Sequence, residues 1–191
     1  MKSTTEIRLR LLPYQVLADR WLVPALLWVP AGIALRLAAP RIPGAHPQLA
    51  PLALVISLFG ALISAYALLA SRAAVALGTQ TFTVQTPLYP VVFSYARVDT
   101  VRPVTFGSAI ATKGVRAAHR RVYGHLLART AIVVTLRSYP LPIAWLRLWF
   151  HPLLLHPKER ALILLVDDWM ALSLGLESRR IQWREAIGKH S

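Results

Sequence analysis

The sequence contains no cysteine and only eight acidic residues in 191. The first absence excludes disulfides, thiol nucleophiles and Cys-ligated zinc or iron–sulfur sites. The second leaves few carboxylates for acid–base or divalent-metal chemistry. Against those acids stand 22 Lys and Arg, 18 of them Arg, for a formal net charge of +14. Charged residues make up only 16% of the chain, where an average soluble domain has roughly 25%. The balance is apolar: 55% of residues are hydrophobic and the mean hydropathy is +0.48. Such an excess excludes disorder over most of the length and is that of a membrane protein. Its positive charge favours phospholipid headgroups, nucleic acid or an acidic protein as surroundings.

The apolar residues concentrate in two windows near the N-terminus. Residues 21–39 would rise about 28 Å as a helix, close to the roughly 30 Å hydrocarbon core of a bilayer. Arg36, near the end of that window, can bend its apolar stem toward the headgroups. Pro24 falls in the first turn, whereas Pro30 lies mid-span and should kink the helix. Residues 49–70 form a second span without any charge. Between the spans, Pro40, Pro43, Gly44 and Pro47 break helix and turn the chain back. The expectation is an antiparallel transmembrane hairpin over residues 21–70.

Cations flank the outer ends of this hairpin: Lys2, Arg8, Arg10 and Arg20 precede it and Arg72 follows, while the connecting loop has only Arg41. The positive-inside rule therefore places both termini in the cytoplasm. A cleaved signal peptide is the competing reading. The long leader carrying Glu6 and Asp19, and the second span that follows at once, argue against it. In the second span, Gly60 with Ser64 and Ala61 with Ala65 form a small-residue face, available either to the first span or to self-association and partner subunits.

After residue 70 the pattern changes to alternation and β-branching. Val75 and Leu77, then Phe82, Val84 and Thr86, predict two strands joined at Gly78-Thr79-Gln80. Residues 91–95 predict a third strand, with a turn at 96–99, and residues 129–137 the most β-branched strand of all. Residues 160–166 and 169–174 flank Asp167-Asp168 and predict a hairpin, with a last strand at 180–183 and a short terminal helix or frayed end after it. A faint echo at an offset of 88 residues sets Phe82, Val84, Thr86, Phe93 and Tyr95 against Met170, Leu172, Leu174, Ile181 and Trp183.

With the hairpin, the strand pair and TPLYPVVFSYARVDTVRPV in hand, the chain resembles the bacterial PH-like (pleckstrin-homology-like) membrane proteins. There, a strand ending in an aromatic leads into an aliphatic-x-x-Val step, here Tyr95-Ala96-Arg97-Val98-Asp99-Thr100-Val101. The likeness covers about residues 5–138. It implies a partly open barrel of about seven antiparallel strands on the cytoplasmic membrane face, in a family that is generally non-catalytic and thought to act in assembly or ligand binding. The sequence departs from the pattern after about Tyr139, where a Pro- and Trp-rich insert appears, and its tail favours another hairpin over the family's C-terminal helix.

Between Thr100 and Lys158 there is no acid, while nine cations occur. Their dense part, KGVRAAHRR, supplies Lys113, Arg116, Arg120 and Arg121, with Arg129 following, as candidate contacts to anionic lipid or an acidic partner. Each is worth about 1 kcal/mol near an anionic leaflet. Enforcing topology is the plainer role of such a loop. Nucleic acid is disfavoured because no recognition motif accompanies the charge. Residues 139–157 are apolar but broken by four prolines, so they cannot span a bilayer. Trp145, Arg147, Trp149 and Phe150 suit an interfacial segment, a cover over the β-domain or a subunit contact. His151 and His156 lack a third ligand, so no metal site is expected. Asp167-Asp168 is most simply a turn. No phosphate loop, nucleophile elbow or HExxH motif occurs, so no catalytic residue and no cofactor is expected.

The reading at this level is a membrane α hairpin plus an all-β, PH-like, partly open antiparallel barrel in the cytoplasm. It assigns 1–20 to a cytoplasmic N-terminal segment, 21–70 to the hairpin and 71–191 to the β-domain of an inner-membrane protein. The expected role is non-catalytic: binding anionic phospholipid or a partner protein as scaffold or accessory subunit. The alternative is a subunit of a membrane enzyme or transporter whose active residues lie on other chains.

Overall fold

The computed structural model describes residues 7–38, 49–110 and 122–188. The chain forms two compact units: Val16–Ser71, and Met1–Gln15 together with Arg72–Ser191.

The first unit holds the helices. Helix α1 (Leu12–Ala38) starts nine residues before the uninterrupted apolar window and α2 (Leu49–Ala70) matches the second window. Both are long and apolar enough to cross a membrane. They pack through small residues. A Cβ on Gly60 would lie 2.9 Å from Trp28 Cβ and 3.1 Å from the Ala25 carbonyl, and one on Gly32 would collide with Ser57. Ser64 is buried on the same face as Gly60. The small-residue face is thus occupied inside the hairpin, as van der Waals packing between apolar helices requires.

The second unit is a two-sheet β-domain. Strands β1 (Ile7–Arg10), β2 (Ala74–Leu77), β3 (Thr81–Gln85) and β4 (Pro90–Ser94) form an antiparallel meander in that order. Strands β5 (Val98–Thr105), β6 (Thr130–Leu136) and β7 (Ala161–Leu164) form a second antiparallel sheet. Short helices α3 (Phe106–Ile110) and α4 (Ile143–Trp149) lie in the connections, and α5 (Trp169–Gly188) ends the chain. The sheets are stitched together at one corner, where Leu11 bridges Val166, its N–H reaches the Ala73 carbonyl and that of Leu12 reaches Leu165.

Alternation in β3 buries Phe82 and Val84, and β4 buries Val91 and Phe93, so Phe82 stacks on Phe93 at 5.1 Å. Burying such a side chain stabilises by about 1.5–3 kcal/mol. Strand β6, central in its sheet, is buried on both faces over Ala131–Val134. A register shift between Val98 and Thr100 in β5 marks a bulge, which bends the strand.

Three expectations are corrected. Residues 1–20 are not a segment apart from the β-domain, because Ile7–Arg10 pairs in full register with β2, with both long helices between them in sequence; four residues of alternating Ile/Leu and Arg carry too little local signal to reveal this. The predicted hairpin at 169–174 and strand at 180–183 are a single helix. Asp168 Oδ1 accepts the Ala171 N–H at 2.8 Å, an N-cap that starts helix rather than a strand turn. Leu172, Gly175 and Leu176 turn inward at helical spacing, and a Cβ on Gly175 would stand 2.5 Å from Leu77 Cδ1. The 88-residue echo falls with it, since its first copy lies on and beside strands and its second on α5.

Helix α5 packs against β5, β6 and the 3-10 turn Tyr95–Arg97, and also touches β2 at Leu77. It therefore contacts both sheets at the end of the meander where β2 turns into β3.

Candidate functional site

The register of the meander defines its two ends. Arg10, Ala74, Gln85 and Pro90 form one rung, and Ile7, Leu77, Phe82 and Phe93 the opposite one. The chain leaves for α1 just after Arg10 and returns from α2 just before Ala74. The β3–β4 turn, carrying Leu88 and Tyr89, therefore lies at the same end of the sheet as both helix connections. The Gly78–Gln80 turn lies at the other. Leu88 and Tyr89 are exposed.

The Pro- and Trp-rich insert is fastened at this exit end. Tyr14, in the first turn of α1 and only 1% exposed, accepts the His151 N–H at 2.8 Å through its hydroxyl and donates to the Trp149 carbonyl at 3.4 Å. The His151 ring stands edge-on to Tyr14 and Tyr123, at 5.9 and 5.4 Å. Its Nδ1 accepts the Leu153 N–H, so Nε2 carries the proton and donates to the Tyr123 hydroxyl at 3.0 Å. One histidine thus ties together the opening turn of α1, the segment after the basic loop and the insert. His156 has a local role, accepting the Lys158 and Glu159 N–H groups.

Held this way, α4 presents an apolar face. Phe150 is buried and its ring lies 6.3 Å from Phe93; Leu146 is buried beside it in the helix. Trp145 and Leu148 are 48% and 66% exposed. Trp149 links them to the β3–β4 turn, with its ring 5.8 Å from Trp145 and 5.8 Å from Tyr89. Leu88, Tyr89, Trp145 and Leu148 thereby belong to an aromatic and aliphatic surface, and Arg147 is exposed elsewhere on the same helix. Of the residues singled out in the insert, Trp145 and Trp149 are at this surface, Arg147 is exposed on the same helix, and Phe150 is core.

The basic stretch is less one-sided in space than in sequence. Arg102 pairs with Glu159 at 2.6 Å, Arg129 with Asp167 at 3.1 Å and Arg137 with Asp99 at 3.7 Å. Acids just outside the stretch meet cations within it. Exposed pairs of this kind stabilise little, about 0–1 kcal/mol, but they moderate the local field. Arg129 is thus brought to Asp167, beside the corner where Leu11 meets Val166. Lys113, Arg116, Arg120 and Arg121 lie outside the described residues. The chain that flanks them is anchored at the same corner: Phe106 and Gly107 donate to the carbonyls of Arg129 and Leu127. Arg147 forms no ion pair among the described residues. Burial pushes the Tyr139 hydroxyl above its usual range against the opposing influence of the Ala161 backbone, Arg160 and Arg147.

Among the described residues no three His, Asp or Glu side chains gather as a metal site. Tyr14 and Tyr123 of the anchor, and Leu88, Tyr89 and Leu148 of the surface, are residues that the sequence did not single out. Tyr14 carried a weak signal, an aromatic just after Pro13 at the start of a span. No family model matches the chain, and no curated protein or solved structure matches it either.

Proposed function

We propose that this chain is a non-catalytic integral membrane protein whose PH-like β-domain sits on the cytoplasmic face of a bacterial inner membrane, pressed against anionic lipid, where it serves as a scaffold or accessory subunit. The observation that carries this reading is the coincidence at one end of the sheet. Both helix connections, the Leu88-Tyr89 turn and the Trp145–Leu148 surface share that end, and the insert is tied to Tyr14, two residues before the helical unit begins. A helix pair that crosses a bilayer brings that end to the membrane. Aromatic rings with an Arg close by suit headgroup depth, and exposed large apolar groups gathered at one end call for a covering phase.

Four strands, three strands and a C-terminal helix in contact with both sheets support the PH-like reading. The 16 cations against six acids in residues 71–191 support an anionic leaflet as the surface. Trp145, Arg147 and Trp149, together with Lys113, Arg116, Arg120 and Arg121, are the proposed contacts, with Arg129 at their base.

The test uses the whole chain carrying Leu148→Cys labelled with a polarity-sensitive fluorophore, a unique site because no other cysteine exists. Reconstituted into phosphatidylglycerol vesicles, the probe should report an apolar environment, less so in phosphatidylcholine. An aqueous signal in both lipids overturns the reading. A stoichiometric second protein purified with the chain, and shielding the probe without lipid, would instead make the surface a subunit contact.

A further inference from the structure

A second apolar feature lies within the helical unit, away from the β-domain surface. Leu17 and Trp21 of α1, with Phe59, Leu62, Ile63, Tyr66 and Ala67 of α2, line a groove of about 350 Å³ whose walls are apolar throughout. We propose that it is a binding site for one acyl chain of an anionic phospholipid, with Arg20 pairing the phosphate. The inference rests on α1 and α2 spanning the membrane, and is independent of how the β-domain uses its own surface.

Three observations select this occupant. The first is extent. Ala67 lies three residues from the end of α2 and Phe59 eleven, so at 1.5 Å per residue the groove runs from about 5 Å to about 16 Å below that end. This is the depth of one leaflet, about half of a 30 Å hydrocarbon core. A partner transmembrane helix would contact the pair along both leaflets.

The second is chemistry. Helix pairs in membranes associate through small residues that let backbones approach, and Gly32, Ser57, Gly60 and Ser64 already face the other helix of this hairpin. The groove instead offers large side chains around an open channel, which suits a flexible hydrocarbon. Its volume falls within the range of small-molecule sites, roughly 300–1,000 Å³.

The third is charge. Arg20 stands three residues from Leu17 on α1, a spacing that makes the two neighbours on the helix surface, and so flanks the groove without lining it. It is exposed and forms no ion pair among the described residues. Its position beside the shallow end of the groove is where a phosphate would sit above an acyl chain.

The experiment reconstitutes the whole chain with a phospholipid bearing a photoactivatable group on its acyl chain and maps the adducts by peptide mass spectrometry. Val23 and Leu68 are exposed at similar depth but off the groove, so they report ordinary lipid contact. Adducts should concentrate several-fold on Phe59, Ile63 and Tyr66 over Val23 and Leu68, and Ala67→Trp should abolish that excess. Unlabelled phosphatidylglycerol should compete better than phosphatidylcholine. Arg20→Gln should cut that preference about fivefold, the factor implied by about 1 kcal/mol per cation, without disturbing packing. Equal labelling at groove and control positions overturns the site, as does a crosslinked dimer through these residues. An unchanged lipid preference in Arg20→Gln overturns the phosphate assignment. None of these outcomes reads the probe at position 148, so the two proposals fail separately.

Discussion

Arg179 donates from Nη1 to the Gly78 carbonyl at 2.7 Å, joining the C-terminal helix to a turn 101 residues earlier. The Tyr95 hydroxyl donates to the same oxygen at 3.1 Å. This carbonyl stands at the end of the meander opposite the helix connections, where α5 touches both sheets.

Because two donors share one acceptor, each single removal leaves Gly78 satisfied. Tyr95→Phe should cost about 1 kcal/mol and Arg179→Met about 1.5–3 kcal/mol, as for neutral and charged hydrogen bonds. The double variant should lose more than the sum, because the carbonyl then has neither donor. Denaturant unfolding in mild detergent measures all three.

The same pair predicts an alkaline limit. Burial raises the Tyr95 hydroxyl from 10.0 to about 12, with Arg179 opposing the rise. The folded state holds this proton more tightly than the unfolded one. Its contribution is therefore complete below pH 10 and lost as the pH climbs through 12. Unfolding midpoints should fall across that window in the parent and much less in Tyr95→Phe.

A fragment of residues 71–191 lacks β1, leaving the β2 edge unpaired and the corner bond from Leu11 to Ala73 unmade. It should be poorly folded. Joining residues 1–15 to 72–191 through a short linker should restore a cooperative domain, because Leu11 and Ala73 already meet. Near-ultraviolet circular dichroism and amide dispersion by NMR distinguish the two fragments.

Much of this architecture was legible in local pattern. The spans at 21–39 and 49–70 stand out because lipid demands long apolar runs, and Phe82, Val84 and the 129–137 strand because one or both strand faces are buried. What escaped notice depends on distant partners. Strand β1 exists through its register with β2, in which Arg8 pairs with Ala76, 68 residues away and beyond any local window. Strand β5, with Asp99, Arg102 and Pro103, is mostly exposed and looks like loop. Helix α5 misled because Met170, Leu172 and Leu174 alternate, yet Met170 and Leu174 point outward at 58% and 68% exposure. At the candidate surface, Trp145 and Trp149 were legible as interfacial aromatics. That Tyr14, Tyr123 and His151 fasten them was not, because those three meet only in the folded chain.

Tyr14→Phe removes the acceptor of the His151 N–H and the donor to Trp149, and His151→Ala removes the bond to Tyr123. Each should free the insert while leaving the stack of Phe82 on Phe93 intact. Amide hydrogen exchange should accelerate at least tenfold over residues 143–154 and remain slow over 131–134. Uniform acceleration would mean that the cluster supports the whole domain instead.

The central claim is that the exit end of the β-domain lies against the bilayer. Nitroxides introduced singly at positions 88, 148 and 79 of the cysteine-free chain, reconstituted in anionic vesicles, test it most directly through collisions with oxygen and with a water-soluble nickel chelate. Positions 88 and 148 should favour oxygen and exclude the chelate, while position 79, in the turn at the opposite end of the meander, should favour the chelate. Equal access of the chelate to all three positions would contradict the claim.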